Sequence, residues 1–426
     1  MFRFLHAADI HLDSPLRGLS RYPGAPVDVL RTATREAFRK LIDHAIDEAV
    51  AFVVIAGDLY DGDWLDVSTG IYLVEQLGRL DRAGIRAVLL SGNHDAENRI
   101  TRDLPLPGNA FRFGSRKPET FRFDDIGVAL HGQSFARRDM TDNLAASYPK
   151  PLPDLFNIGV LHTALEGNAE HAPYAPCSLE ELRNKGYAYW ALGHVHRRQI
   201  LSTDPHVVFP GNLQGRHARE TGPKGATLIT VDDARVTGLE AIAFDVVRWA
   251  RIDVDIGGVS RVEEASRRID DALDEALQSQ ADGRLLAVRV RLTGRTPLHG
   301  EFARDEAGLR ERLLALASAI GWDRVWPEKL ELATEPPRTD AELRGREDAL
   351  GDLRRMLDGA RDDAELAALV KTPLDELWSR LPAELKNEID WTAEGGPLAR
   401  VEAGDAAALA EDVAPWLLAR LAGSEA

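Results

Sequence analysis

The stretch Val88–Asp95, V-L-L-S-G-N-H-D, is a short apolar run that stops abruptly in glycine, asparagine, histidine and aspartate. Four more apolar runs stop the same way: FRFLHAADIH at Asp9 and His11, VVIAGD at Asp58, NIGVLH at His162, and YWALGHVH at His194 and His196. In an open α/β sheet the loops at the carboxyl ends of the strands converge while the strand bodies stay buried. Five such ends therefore deliver their polar groups to one place. Asp9, His11, Asp58, Asn93, His162, His194 and His196 offer more N and O donors than one ion needs, and they predict a two-metal site.

Hydrolysing a phosphodiester near neutral pH needs a hydroxide, neutralisation of the phosphoryl oxygens and help for the leaving alkoxide. Two metal ions about 3.5 to 4 Å apart supply the first two. Asp58, the sole acid ending its strand, is the natural bridge between them. Asp9 and His11, one residue apart, can both turn toward one ion, and His194 and His196 repeat that arrangement from the opposite side. Mixed oxygen and imidazole ligation suits manganese, iron or zinc better than magnesium or calcium. His94 is left over beside the ions, where it can give a proton to the leaving oxygen, and Asp95 could orient it. Asp61 and Asp95 are read as carboxylates supporting the site, with turn residues bonded to backbone as the alternative. His131 ends another strand, VALHG, without a partner motif, and reads as a satisfied histidine rather than a ligand. His6, His44, His171, His206 and His299 read as surface or packing residues.

The elements that must position these groups follow from periodicity. Leu30, Ala33, Ala37, Phe38, Leu41, Ile42, Ala45 and Ile46 form one apolar stripe, so 27–50 is a crossover helix. Phe52–Ile55 and Ala87–Leu90 are strands with a helix over Thr69–Ala83 between them, the alternation of a layered α/β domain. Asp13 through Pro26 reads as a loop over the site. From Glu119 the strands shorten: TFRF, VALHG, NIGVL, YWAL, RQIL, VVFP, ATLITV and VTGLEAIAF, with turn residues between them, which predicts two facing sheets. A second unit of βαβαβ pattern starts near Val247: strand ARIDVDI, helix 262–277, strand LLAVRVRL, helix 307–319 and strand KLELAT. Pro336-Pro337 marks the next boundary. Beyond it Leu343, Leu350, Leu353, Met356 and Leu357 make one helical stripe, and LDELWSRL and PWLLARLAG supply two more apolar faces. The domains are expected at 1–245, 246–335 and 336–426.

A chain of 426 residues with 44% hydrophobic residues supports two or three domains. No apolar run approaches the roughly 18 residues of a membrane span, so no membrane partner is expected. The single cysteine, Cys177, reads as an inert structural thiol, which fits a reducing cytoplasm. The net charge of -17 argues at face value against nucleic acid. It is unevenly spread, however. The segment from Arg338 onward holds 20 acidic and 11 basic residues, whereas Arg197–Lys224 holds five basic and two acidic. Arg197, Arg198, Arg216, His217 and Arg219 thus form a locally basic rim able to grip phosphates, with a merely solvated loop as the alternative.

D-x-H, GDxxD (Gly57, Asp58, Asp61), GNHD (Gly92 to Asp95), the lone strand-end His162 and GHxH (Gly193 to His196) resemble, in order, the five motifs of calcineurin-like metallophosphoesterases. AADIHLDSPL, GDLYD and PGNLQGRHARETGPKG are further similar to the SbcD group of DNA double-strand-break repair exonucleases, most of all to its YhaO-like branch. The likeness is strong over Met1–Phe244, and the βαβαβ block resembles that family's DNA-capping domain more loosely.

The resemblance implies an α/β fold: a two-sheet metallophosphoesterase sandwich flanked by helices, with a smaller βαβαβ capping domain and a helical C-terminal segment. It implies that Asp9, His11, Asp58 and His196 bind one ion and Asp58, Asn93, His162 and His194 the other, with His94 as the acid. Archaeal members can carry histidine where Asp61 stands, so Asp61 is expected beside the ions rather than on them. Also implied are manganese-dependent exonuclease and endonuclease activity on DNA, a coiled-coil ATPase partner of the SbcC type, and a homodimer. Two rivals share the ligands: hydrolysis of a small phosphodiester or phosphomonoester, and a largely scaffolding subunit of an ATPase complex. The basic rim and the appended block favour a polymeric substrate, and the complete ligand set favours catalysis.

Overall fold

The computed structural model describes residues 1–14, 24–61, 67–96, 105–165, 174–336, 345, 347–359, 364–381, 400, 405 and 408–409. The loop expected after Asp13, His171, Leu343 and the PWLLARLAG face lie wholly or largely outside these residues. The chain divides into two compact units, one of residues 1–251, 275–289 and 320–328 and the other of residues 252–274, 290–319 and 329–426.

In the first unit the strands are β1 (Phe2–Ala7), β2 (Phe52–Ala56), β3 (Arg86–Leu90), β4 (Ala110–Arg112), β5 (Glu119–Phe123), β6 (Val128–Gly132), β7 (Phe156–His162), β8 (Tyr189–Gly193), β9 (Gln199–Thr203), β10 (His206–Phe209), β11 (Gly225–Asp232) and β12 (Arg235–Ala243). They form two six-stranded sheets, in order β12-β11-β1-β2-β3-β4 and β5-β6-β7-β8-β10-β9. The motif-bearing strands β1, β2 and β3 are parallel neighbours in one sheet, and β7 and β8 in the other. Their carboxyl ends therefore open on the same side within each sheet.

Period-two alternation explains why these strands read as unbroken apolar runs: both faces are buried. Phe4, Phe52, Val54, Val88 and Leu90 face Ile158, Val160, Tyr189 and Ala191 in the core between the sheets. Phe4 stacks on Phe52 with ring centroids 4.8 Å apart and meets Tyr189 edge-on at 5.4 Å. The alternate residues Leu5, Ala7, Val53, Ile55, Ala87 and Leu89 pack outward on α1 (Val27–Asp47) and α2 (Val67–Arg82), whose buried stripe includes Phe38, Leu41, Leu73 and Leu77. On the other sheet Leu161, Trp190 and Leu192 turn outward onto Leu182 of α3 (Leu179–Asn184), which starts in a capping box built by Ser178 and Glu181. His6 crosses between the sheets, its ring nitrogens 3.0 Å from Tyr189 Oη and 3.1 Å from Leu192 O. Burial pushes its pKa down to about 3, so it is a neutral packing residue. His131 is likewise satisfied, between Thr120 Oγ1 at 2.8 Å and Asn157 Oδ1 at 2.9 Å. Cys177 is buried beside the Thr163 hydroxyl.

The remaining strands, β13 (Val247–Asp255), β14 (Leu285–Arg295) and β15 (Val325–Glu335), form a three-stranded sheet in that order. The helices that follow are α4 (Val262–Ala276), α5 (His299–Arg304), α6 (Glu306–Ile320), α7 (Ala349–Gly359) and α8 (Ala364–Arg380). Among the described residues no helix is long and apolar enough to cross a membrane.

Candidate metal centre and active site

Each strand end turns sharply as it leaves the sheet. Asp9, His11, Asp58 and His194 all have left-handed backbone, with φ of 52°, 46°, 51° and 102°. Such torsions cost of order 1–3 kcal/mol in non-glycine residues and persist only where the surroundings enforce them. Here the loops after β1 and β2 hold each other, with Asp9 N donating to Gly57 O and His11 N to Asp58 O, both at 3.0 Å. Two glycines make room for the groups: a Cβ at Gly92 would run into the Asp58 carboxylate, and one at Gly193 into the Ala56 carbonyl.

The seven donors predicted from the strand ends come together in the first unit. Asp9, His11 and His196 bring ligand atoms within 4.8 Å of one another, and so do Asp58, His162 and His194. Asp58 lies between the two groups, its Oδ2 3.9 Å from His11 Nε2 and 3.4 Å from His162 Nε2, the position of a bridging carboxylate. Asn93 Oδ1 stands 2.9 Å from His162 Nε2. Asp9 accepts from His194 N at 3.1 and 3.0 Å, which ties the first sheet's ligand to the second sheet's loop.

Two observations show that this donor set fits cations. His11 Nε2 and His196 Nε2 face each other at 3.2 Å beside the Asp9 carboxylate, so imidazoles that carry their hydrogens on Nδ1 would aim two lone pairs at one place. The second is His162: burial opposes its charged form, yet the Asp58 carboxylate outweighs burial and pushes it up to about 9, while Asp58 itself is held well below the usual carboxylate range despite burial. Buried carboxylates and imidazoles gathered in this way are the mixed oxygen and nitrogen donors that a divalent transition-metal ion takes. Asp9, His11, Asp58 and His196 could hold one ion and Asp58, Asn93, His162 and His194 the other.

His94 is about a quarter exposed at the mouth of this cluster. Its backbone N donates to Asp58 Oδ1 at 3.0 Å, and its Nδ1 lies 2.9 Å from Asp61 Oδ1. Burial lowers its pKa, but the Asp61 and Asp58 carboxylates more than compensate and raise it. The carboxylate that orients His94 is therefore Asp61. Asp95, expected in that place, instead accepts from Leu59 N, Tyr60 N and Gly92 N at 3.1, 2.9 and 3.0 Å and staples two motif loops together. The side chain after histidine in G-N-H-D points back into the turn, so sequence adjacency misdirects. Asp61 also accepts from Ser14 Oγ at 2.5 Å and pairs with Arg216 at 3.4 Å.

Of the five rim residues, Arg197, Arg198, His217 and Arg219 are exposed, whereas Arg216 is half-buried between Asp61 and Glu220. Glu220 escaped the sequence reading. It is 7% exposed, and its Oε1 lies 2.6 Å from His196 Nδ1. Burial opposes its charge, but the contacts with His196 and Arg216 hold it well below the usual range. Its only signal was position: it is an acid inside the otherwise basic run that follows GHxH.

Residues 2–198 match the family model of calcineurin-like phosphoesterases, and residues 249–335 match that of the middle domain of metallophosphoesterase YhaO. The chain is 34% identical over 338 residues to the metallophosphoesterase YhaO of Bacillus subtilis, spanning 78% of this chain and 82% of that one. It is 27% identical over 354 residues to the DNA double-strand break repair protein Mre11 of Methanopyrus kandleri, spanning 73% and 71%. A protein of the same name from Haloferax volcanii is 29% identical over 279 residues, spanning 63% and 58%. Five strand ends that gather seven donors around Asp58, a two-sheet sandwich and this identity to YhaO lead to one statement: the chain belongs to the calcineurin-like metallophosphoesterases, in the family of YhaO.

Proposed function

We propose that this phosphoester hydrolase is a dimetal DNA nuclease, acting as exonuclease and endonuclease with manganese and working with a coiled-coil ATPase of the SbcC type in double-strand-break repair. The observation that carries the reading is the Asp58-centred cluster, with an oriented and accessible His94 at its mouth and four exposed basic side chains alongside. A small ester needs no such rim, whereas a polymer backbone would be held by it without sequence readout. The relatives called DNA double-strand break repair protein support the same substrate.

When bound, the two ions supply the hydroxide nucleophile and neutralise the phosphoryl oxygens. Everything else falls to the chain. Asp58 and Asn93 place the ligand atoms, and the His162 ring is oriented by its Nδ1 contact with Ala56 O at 3.0 Å. His94, with Nδ1 turned to Asp61, presents Nε2 outward. A proton on that nitrogen goes to the leaving oxygen, and the ring is left neutral with its Nδ1 hydrogen still on Asp61. Arg216 holds Asp61 in place from the other side.

The domain assignment proposed with this function is a nuclease domain over 1–245, a DNA-capping domain over 246–335 and an ATPase-docking segment over 336–426. Apolar Met356 on α7 and Leu369 and Leu377 on α8 are exposed, which suits docking of a partner helix better than contact with DNA. A homodimer in the cytoplasm completes the reading. The test incubates the protein with linear duplex DNA, single-stranded DNA and bis(p-nitrophenyl) phosphate, each with manganese or chelator. DNA cleavage that requires manganese is expected. Cleavage of the small ester alone, even with the ATPase subunit added, would overturn the DNA assignment.

A further inference from the structure

The 197–224 run holds two acids, and they differ completely: Asp204 is exposed, whereas Glu220 is buried among donors. Glu220 Oε2 accepts from Asn212 Nδ2 at 2.9 Å and from Arg216 N at 2.7 Å, so that oxygen is committed to two N–H groups. Oε1 stands 2.6 Å from His196 Nδ1, far closer than Arg216 Nη2 at 3.5 Å or His217 Nε2 at 3.6 Å, and far closer to Nδ1 than the Arg216 Nη2 that approaches that nitrogen at 3.4 Å. With Oε2 already accepting from two N–H groups and Oε1 turned to an imidazole nitrogen at such short range, the geometry gives the hydrogen of that contact to Nδ1, the arrangement of a carboxylate behind a ligating histidine. A neutral imidazole then has its lone pair on Nε2, the nitrogen that faces His11 Nε2 at 3.2 Å and shares a cluster with Asp9. Lys224 Nζ donates to His196 O at 2.9 Å and fixes the backbone of the same residue.

We propose that Glu220 is a positioning residue of the metal centre, which locks His196 in its Nδ1–H tautomer and so presents Nε2 to the ion held with Asp9 and His11. The proposal rests on the dimetal reading of the cluster. Carboxylates behind a ligating imidazole raise its basicity and fix its orientation. Glutamine at this position exposes the requirement. An amide oxygen turned to Asn212 and Arg216 leaves the NH2 group facing His196. The ring must then accept at Nδ1 and carry its hydrogen on Nε2, where it blocks the ion. The opposite flip sets the NH2 group against two donors.

The experiment titrates wild type, Glu220→Gln, His196→Ala and the double variant with manganese(II) chloride by calorimetry, with folding checked by circular dichroism. Wild type is expected to bind two ions. Glu220→Gln is expected to weaken one of them about 10- to 100-fold, and the double variant to bind like His196→Ala alone, because both changes remove the same ligand. Wild-type binding by Glu220→Gln overturns the proposal, and so does a loss that adds to that of His196→Ala, which would mark a purely loop-holding role. A wild-type protein that binds no manganese would instead sink the dimetal reading. A second measurement needs no variant: histidine nitrogen NMR of the wild-type protein without metal should show His196 with its hydrogen on Nδ1. A hydrogen on Nε2 overturns the assignment.

Discussion

His94 and Asp58 are close in space and opposite in expected behaviour. Asp58 touches both candidate ion positions and accepts from His94 N, so Asp58→Ala should abolish tight manganese binding and cleavage together. His94 belongs to neither triad built around Asp9 or Asp58, although it forms a third cluster with Asp61 and with His11, whose Nε2 is turned to His196. His94→Gln should therefore keep two ions and lose about 10²- to 10⁴-fold in kcat, the usual span for a general acid. Manganese calorimetry beside single-turnover cleavage separates the two, and a His94→Gln enzyme as fast as wild type would remove it from the mechanism. At this scale the sequence was most informative where chemistry and strand ends coincide: the seven donors come together because each lies at, or within a few residues of, the carboxyl end of a buried strand. It was least informative about what stands behind them. Whether Asp61 or Asp95 faces His94 depends on the turn of a few backbone torsions, and Glu220 reaches His196 only through the folded 211–220 loop.

At the scale of elements, β7 and β8 carry His162 and His194, and their spacing depends on one small residue. A Cβ at Gly159 would run into the Trp190 ring, which packs on that glycine and donates from Nε1 to Leu182 O at 3.0 Å. Gly159→Ala should therefore destabilise the first unit by about 1–3 kcal/mol, the usual cost of overfilling a packed core. Urea unfolding followed by tryptophan fluorescence measures this, and an unchanged midpoint would mean that Trp190 and α3 can shift freely. The helices α1 and α2 were legible from one buried face of helical period, and β2, β3 and most of the short strands from β5 on from apolar runs, buried on both faces in the central strands, that end in turn residues. The three residues of β4 and the six of α3 and of α5 are too short to show a period.

For the whole molecule, the net charge of -17 and the exposed Arg197, Arg198 and Arg219 pull in opposite directions. If the rim meets a phosphate backbone, replacing each arginine by glutamine should weaken DNA binding uniformly across sequences. Each such loss should also reduce the slope of log affinity against log salt by about 1. Fluorescence anisotropy between low and physiological salt measures that slope, and an unchanged slope in the triple variant would return these residues to the role of a solvated loop. Composition alone pointed away from nucleic acid; a local count around the last motif pointed toward it, because electrostatic contact is decided by the few charges within a Debye length of the site.

The candidate ligands are divided between the two sheets, with Asp9, His11, Asp58 and Asn93 following strands of one and His162, His194 and His196 at strand ends of the other. The first sheet is closed by strands distant in sequence: β11, at Gly225–Asp232, pairs with β1, and β12 pairs with β11. Closing the two sheets on each other is therefore what brings both groups of donors within reach of one another, and a substitution that parts the sheets should disperse the two groups together.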